Sequence, residues 1–419
     1  LRGRLTGLEG ISEILGGTEI NPFDETLPSV TWSPWPFTCP ELEYQSSTEA
    51  ISAIRATIID VVAKSVAAAS APVLLELSGG VDSSILAAAL HTAARPFEAV
   101  NLMTPDKEGD ERVYARLVAA RLGVDLAEYA VPADVDLLAP PRRRLALPGI
   151  PAMLRPADRI LAALAEVRAS PAFMSGSGGD CVFATPYSAT PAADLFRRHG
   201  PGRRFARSLV DLATLYRASI WATGRRAWRF IRDPDWRLAP VRNTSFLAAE
   251  HWPASPQWHP WMTAPRSAPP GKQAHVRAIA AALAHIDGFE RQQVAPMLFP
   301  LLARPVIEAC LKAPSWMWIE GGVTRAIARR AFADRLPHEV IWRQSKGGMD
   351  AYCYRNFDAC RPRLRAFLLE GHLARAGLLA THEIDAFLAA PPREHDVRFY
   401  RLLPIIDAEG WARSWLGDG

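Results

Sequence analysis

Apolar positions along the first half of the chain fall into two alternating patterns. Val73-Leu74-Leu75-Glu76-Leu77 is a short, nearly continuous apolar run, followed by two glycines and an alanine-rich stretch from Ile85 to Ala94. This order predicts a strand over 73–77, a glycine turn, and a helix to about Ala94. Upstream, Ser46-x-x-Glu49 reads as a capping box opening a helix to about Ala69. Downstream, Ala99–Met103 predicts a second strand. Glu108–Leu122 predicts a helix whose acidic first turn suits the dipole and which Gly123 closes. Leu126–Val131 predicts a third strand and Ala157–Val167 a helix, and Ala172-Phe173-Met174 is a short strand entering SGSGGDCVF (175–183). Strands and helices in this alternation predict an α/β fold, a parallel sheet with helices on both faces. From about residue 191 the pattern becomes mostly helical, broken by proline-rich loops, notably 232–270. Residues 1–45 are rich in Pro, Trp and Thr and predict short strands and loops. The expected organisation is therefore 1–45, an α/β core over 46–190, and a mainly helical part over 191–419.

Composition narrows the class. The chain has 419 residues, 49% hydrophobic and 22% charged, which suits a soluble protein of two or three domains. No apolar run approaches the roughly 20 residues of a membrane span, so no membrane partner is expected. A net charge of +4 is too mild to imply nucleic acid. Five scattered cysteines without CxxC pairs exclude a disulfide framework and a zinc site, and a cytoplasmic setting is expected. Five of the 48 basic residues are lysine, so each lysine stands out against an arginine background.

The chemistry centres on LSGGVDSS (77–84). In a parallel sheet, ligands sit at the carboxyl ends of strands. Gly79 and Gly80 let the backbone approach an anion, and the amides of residues 80–84 open a helix, which favours a phosphate. Ser78, Ser83 and Ser84 add hydroxyls, with Leu77 and Val81 bounding the loop. Met103, at the end of the next strand, completes the expected nucleotide contacts. Asp82 is repulsive to a phosphate unless a cation lies between them, which points to Mg²⁺. The loop is not a Walker motif, because no lysine follows it. A second glycine cluster, SGSGGD, again ends a short strand and again carries an aspartate, Asp180, so the two aspartates are placed to share one Mg²⁺. A third element, WRQSKGGMD (342–350), sets Lys346 in a glycine-flanked loop.

SGGVDSS resembles the loop of PP-loop ATP pyrophosphatases, which cleave between the α and β phosphates. With SGSGGD and SKGG behind it, residues 46–419 resemble the synthetase domain of asparagine synthetase-like enzymes. Within that superfamily the wording is most similar to lasso peptide cyclases. The supporting stretches are GGDCVF (178–183), Pro186-Tyr187-Ser188-Ala189-Thr190, FPLLARPVIEACLKAPSWMW (299–318), RAIARRAFADRLP (325–337), SKGGMDAYCY (345–354) and GHLARAGLL (371–379). The resemblance implies a PP-loop fold with ATP and Mg²⁺. It assigns Gly176 and Ser177 to the nucleotide, Asp82 and Asp180 to the metal, and Lys346 to the α-phosphate. It implies adenylation of an Asp or Glu side chain in a precursor peptide, followed by attack of that peptide's N-terminal amine to close a macrolactam. A companion leader peptidase and a leader-recognition protein are implied as well. The other reactions open to this superfamily are amide or β-lactam formation on a small molecule and asparagine synthesis from ammonia.

Departures from the resemblance are informative. Residues 1–45 match only the tail of an amidotransferase-like domain, and the first cysteine is Cys39, so no cysteine nucleophile for glutamine is expected. The glutamate that precedes PFLD in asparagine and β-lactam synthetases corresponds to Pro296, and the β-lactam enzyme's tyrosine to Ser177. A general base is thus not carried over, and nearby Glu290 reads as a helix-surface residue. Six tryptophans (221, 228, 236, 252, 258 and 261) interleave with arginines 225, 226, 229, 232 and 237. A peptide-binding wall and ordinary helix packing both account for them.

Overall fold

The structure, a computed structural model, describes residues 3–23, 28–69, 71–106, 109–186, 188–233, 244–249, 259–345, 347–390 and 397–417. Lys346, Tyr187, Trp236, Arg237, Trp252 and Trp258 lie outside the described residues.

A small antiparallel pair, β1 (Thr18–Glu19) and β2 (Ser29–Val30), lies in the N-terminal segment. The helix α1 (Ser47–Ser65) begins where the capping box predicts. Ser46 accepts from the Glu49 amide at 3.1 Å, and the Glu49 carboxylate accepts from the Gln45 amide at 2.8 Å. Five strands then build a wholly parallel sheet in the order β5 (Leu126–Ala130), β4 (Phe97–Met103), β3 (Val73–Glu76), β6 (Phe173–Met174) and β7 (Met297–Leu298). The central strand β3 is buried on both faces, which is why it reads as a continuous apolar run.

Helices α2 (Val81–Thr92), α3 (Arg112–Leu122) and α4 (Arg155–Arg168) connect and cover these strands. Ala87, Ala88 and Ala89 of α2 are fully buried, because small side chains let the helix lie close to the sheet and to α1. The structure corrects two sequence expectations. Helix α3 starts at Arg112, not Glu108, because the Asp110 carboxylate accepts from the Arg112 amide at 3.1 Å and holds Asp110 in the turn before the helix. Strand β7 was not anticipated. It is two residues long inside a proline-punctuated stretch, and it is fixed by the sheet through Phe173 N–H donating to Pro296 C=O at 2.9 Å.

Beyond β6 come α5 (Gly179–Val182), α6 (Thr190–His199), α7 (Arg203–Tyr216), α8 (Ile220–Arg232), α9 (Pro270–Ala282), α10 (Arg304–Lys312), α11 (Ala326–Ala331), α12 (His338–Ile341) and α13 (Asp350–Leu369). A large core gathers the sheet, α1, α2, α9, α10 and α11, while a second gathers around α13. No helix among the described residues is long and apolar enough to cross a membrane. Within the larger core, Lys272 is only 1% exposed. Its ammonium donates to the carbonyls of Leu311 and Ala313 and lies 3.6 Å from Glu43, pinning the N-terminal segment to α9.

Candidate active site

Strand β3 ends at Glu76 and the chain turns sharply through Ser78-Gly79-Gly80. Gly79 has φ +78°, and a Cβ there would lie 2.7 Å from the Ala115 amide nitrogen, so only glycine fits the close approach to α3. The turn is then held by its own hydroxyls. Ser78 and Ser83 lie 3.1 Å apart, the Gly80 amide donates to Ser78 Oγ at 3.3 Å, and Ser84 Oγ donates to the Gly80 carbonyl at 2.7 Å. Asn101 from β4 donates to the Leu77 carbonyl at 2.8 Å and fixes where the loop departs.

The second glycine loop fits into the first. A Cβ on Gly176 would lie 2.8 Å from the Ser83 amide nitrogen, and one on Gly179 would lie 2.6 Å from Asp82 Cβ and Cγ. Those two glycines therefore set how closely the neighbouring strands bring their loops together. Asp82 and Asp180 open on the same cleft, and both push the pKa of Cys181 in the same direction. Burial first, then Asp180 and Asp82, raise that thiol to about 12, so it stays protonated. Ser175 and Ser177 hydroxyls sit 3.0 Å apart beside them.

This cleft has a volume of about 770 Å³. Its sheet wall is Ser78–Ser83, Ser175–Gly178 and Asp180. Leu77 is fully buried, the Ser84 hydroxyl turns to the Gly80 carbonyl, and Met103 ends β4, so none of these three lines the cleft, unlike Ser78, Gly79, Gly80, Val81, Asp82, Ser83, Gly176, Ser177 and Asp180. Ser345, immediately before Lys346, lines the cleft, and Gly347, immediately after it, donates its amide to Glu111 Oε1 at 2.8 Å. The arrangement thus brings three predicted elements to one cleft.

The helical wall supplies groups that the sequence did not single out. Arg325, with left-handed backbone (φ +59°), pairs with Asp82 at 3.4 Å and donates to Thr185 Oγ1 at 3.3 Å. Arg329 lies one turn further along α11. It is buried, its Nε donates to the Thr324 carbonyl at 2.7 Å, and burial lowers its pKa to about 10, so it keeps its charge. Arg343 pairs with Glu111 at 2.8 Å and covers the Tyr114 ring at 3.7 Å. At the base, Glu76 binds Arg291 at 2.6 Å, and Arg291 also meets Asp158 at 3.2 Å between the rings of Phe173 and Phe289. Burial raises the Asp158 pKa and Arg291 opposes the shift. Glu290 is paired with Arg159 at 3.3 Å and accepts from the Arg142 amide, outside the cleft lining.

The donor set suits a metal–nucleotide. No group of three or more acidic, cysteine or histidine side chains able to hold a metal by themselves exists among the described residues. Two carboxylates beside an amide-lined cradle instead leave coordination positions for phosphate oxygens and water, the usual habit of Mg²⁺. A search of curated proteins gave no match. Compared with known protein families, residues 53–413 match asparagine synthase. With that match spanning most of the chain, and with the interlocked glycine loops at the carboxyl ends of β3 and β6, the chain belongs to the asparagine synthase family, ATP-dependent enzymes that form amide bonds.

Proposed function

We propose that this enzyme closes a macrolactam in a precursor peptide, in the manner of lasso peptide cyclases. One carboxylate oxygen of an Asp or Glu side chain attacks the α-phosphorus of ATP, and the bond to the β-phosphate oxygen breaks. Pyrophosphate leaves along the amides and hydroxyls of residues 78–83. The peptide's N-terminal amine then attacks the acyl-adenylate carbonyl, AMP departs, and the amine's proton passes to solvent or phosphate. Asp82 and Asp180 would hold Mg²⁺, which supplies charge neutralisation for the phosphates. In this reading Lys346 faces the α-phosphate, Arg325 and Arg329 complete the cationic side of the cleft, and Gly176 and Ser177 lie along the nucleotide. An α-amine has a pKa near 8, so its attack depends on positioning, which supplies about 7–11 kcal/mol in favourable cases.

The observation that carries this reading is the interlocking of the two aspartate-bearing glycine loops. The preference for a peptide rests on the sequence stretches that resemble cyclases, and a leader peptidase and a leader-recognition protein belong to the same proposal. The test is incubation with ATP, Mg²⁺ and a linear peptide that begins with Gly and carries Asp or Glu several residues on. The expected product is the peptide less one water, with one AMP formed per ring. AMP without ring closure, formed with small carboxylates, would replace this reading with a small-molecule amide synthetase.

A further inference from the structure

Ten arginines and one acid, Asp211, fall between residues 197 and 232, whereas the rest of the chain carries 38 basic and 43 acidic residues. The protein thus concentrates a local +9 on a body of net −5. All ten arginines are exposed. Two lie at the end of α6, three on α7 (Arg203, Arg204 and Arg207), one, Arg217, just after it, and four along α8. Arg203, Arg204, Arg217, Arg225, Arg226 and Arg232 form no ion pair among the described residues.

Helix α8 has two unlike faces. Thr223, Ala227 and Phe230 are buried and seat it on α6 and α7. On the opposite side, Trp221, Arg225, Trp228 and Arg232 follow one another at helical spacing (i, i+4, i+7, i+11). Trp221 is 85% exposed and Trp228 is 51% exposed, its ring edge-on to Phe196. By contrast Trp261 is only 3% exposed and belongs to the core. The helix spends its surface on two indoles separated by guanidiniums, over roughly 16 Å. About five residues of extended polypeptide span that length.

The end of α7, the helix against which α8 packs, reaches residues next to the cleft. The Tyr216 hydroxyl, at the end of α7, donates to the Pro186 carbonyl. The adjacent Thr185 accepts from Arg325, which pairs with Asp82. Thr214 of α7 packs against Gly322, just before the cleft residues Thr324 and Arg325.

From these observations we infer that the α7–α8 face docks a short acidic stretch of the polypeptide substrate, holding the chain whose carboxylate enters the cleft. The inference rests on the peptide reading above. Guanidiniums pair with carboxylates in two-pronged geometry, and the indoles supply flat apolar contact between them. The net negative charge of the remaining surface favours a short acidic segment over a long polyanion, which would run off the basic face onto repulsive ground.

The test uses the full chain and a fluorescein-labelled decapeptide containing five glutamates, with its glutamine counterpart, followed by anisotropy at 50 and 200 mM salt. The glutamate peptide should bind at least tenfold more tightly than the glutamine one, and more weakly at the higher salt. Replacing Arg225, Arg226 and Arg232 together by Glu should weaken it at least tenfold, and Trp221→Ala severalfold, with melting unchanged for both. Equal affinity for wild type and the charge-reversed variant would overturn the proposal. So would tighter binding of a ten-nucleotide oligothymidine, or of vesicles with 30% phosphatidylserine, than of the glutamate peptide. Binding needs no turnover, so the two readings separate. Intact binding with no AMP from any peptide overturns the cyclase reading alone, and AMP formation with binding indifferent to the arginines overturns the docking face alone.

Discussion

Glu111 offers the most discriminating perturbation of the cleft, because it touches no reacting atom yet holds both flanks of residue 346. Its Oε1 accepts from the Gly347 amide and from Arg343, each at 2.8 Å, and the Glu111 and Arg343 side chains are only 13% and 12% exposed. Charge-assisted hydrogen bonds of this kind contribute about 1.5–3 kcal/mol each. Here they share one oxygen and are not additive, so Glu111→Ala should loosen the segment by about 2–3 kcal/mol in total. At about 1.4 kcal/mol per factor of ten, the rate of AMP formation should fall about 30- to 150-fold. The assay is AMP release at saturating ATP and acceptor peptide, in parallel with thermal melting. The decisive control is Lys346→Ala. If Glu111 acts by seating the lysine, adding Glu111→Ala to that variant should cost less than about threefold, since coupled residues are non-additive. An equal cost in both backgrounds would refute the reasoning, as would an activity loss explained by a matching loss of folded protein.

The other predictions follow from single contacts. Gly179→Ala should abolish AMP formation and also lower the melting temperature, because its Cβ would sit 2.6 Å from Asp82 in the site and 2.9 Å from the buried Leu301 side chain; normal turnover by this variant would show that the two loops can part without consequence. Asp82→Asn should likewise remove AMP formation, and ATP binding measured by calorimetry should lose its dependence on Mg²⁺; retention of that dependence would sink the metal assignment. Lys272→Met should destabilise the protein by about 3–5 kcal/mol, since it strands Glu43 and the two carbonyls in a buried setting; denaturant unfolding showing less than about 1 kcal/mol would contradict it. Burial lowers the His275 pKa from 6.5 to about 4. The unfolded chain therefore binds the extra proton between those values, and stability present above about pH 6.5 is lost as pH falls toward 4. His275→Gln should remove up to about 3 kcal/mol of that acid loss, and an unchanged pH profile of melting would count against it.

What was legible in the sequence was the chemistry that is local in the chain. The loops at 77–84 and 175–183 each pack a strand end, glycines and an aspartate into fewer than ten residues. Their backbone requirements are visible without knowing the fold, and the parallel sheet then brings them together. The cationic wall was not legible for the opposite reason. Arg325, Arg329 and Arg343 differ from the other arginines only in where the chain carries them, and in an arginine-rich sequence none is marked by its type. The sequence did hold one weak signal, the spacing of four between Arg325 and Arg329, although Arg325 precedes α11 in a left-handed conformation rather than sharing its face. Strand β7 was hidden because two residues carry no periodicity, and its pairing is decided by the Pro296 carbonyl and β6. The Trp/Arg stretch was ambiguous in sequence because exposure decides its meaning. Trp221 and Trp228 face outward and Trp261 faces inward, a distinction no spacing rule makes.

These placements divide the labour of the cleft between two parts of the chain. The α/β part supplies carboxylates and amides at strand ends, where the sheet and the tight glycine contacts leave them almost no freedom. The helical part supplies cations through side chains anchored by one or two bonds, as with Arg329 on the Thr324 carbonyl and Arg343 on Glu111. Errors in the first part are steric and uncompensated, so a single methyl at residue 179 should stop the chemistry. Errors in the second are electrostatic and graded, because neighbouring guanidiniums remain. Substitutions that change which carboxylate is accepted should therefore be found on the helical side, among residues that adjoin Arg325 and the end of α7. Those that change whether ATP is cleaved at all should be found on the sheet side.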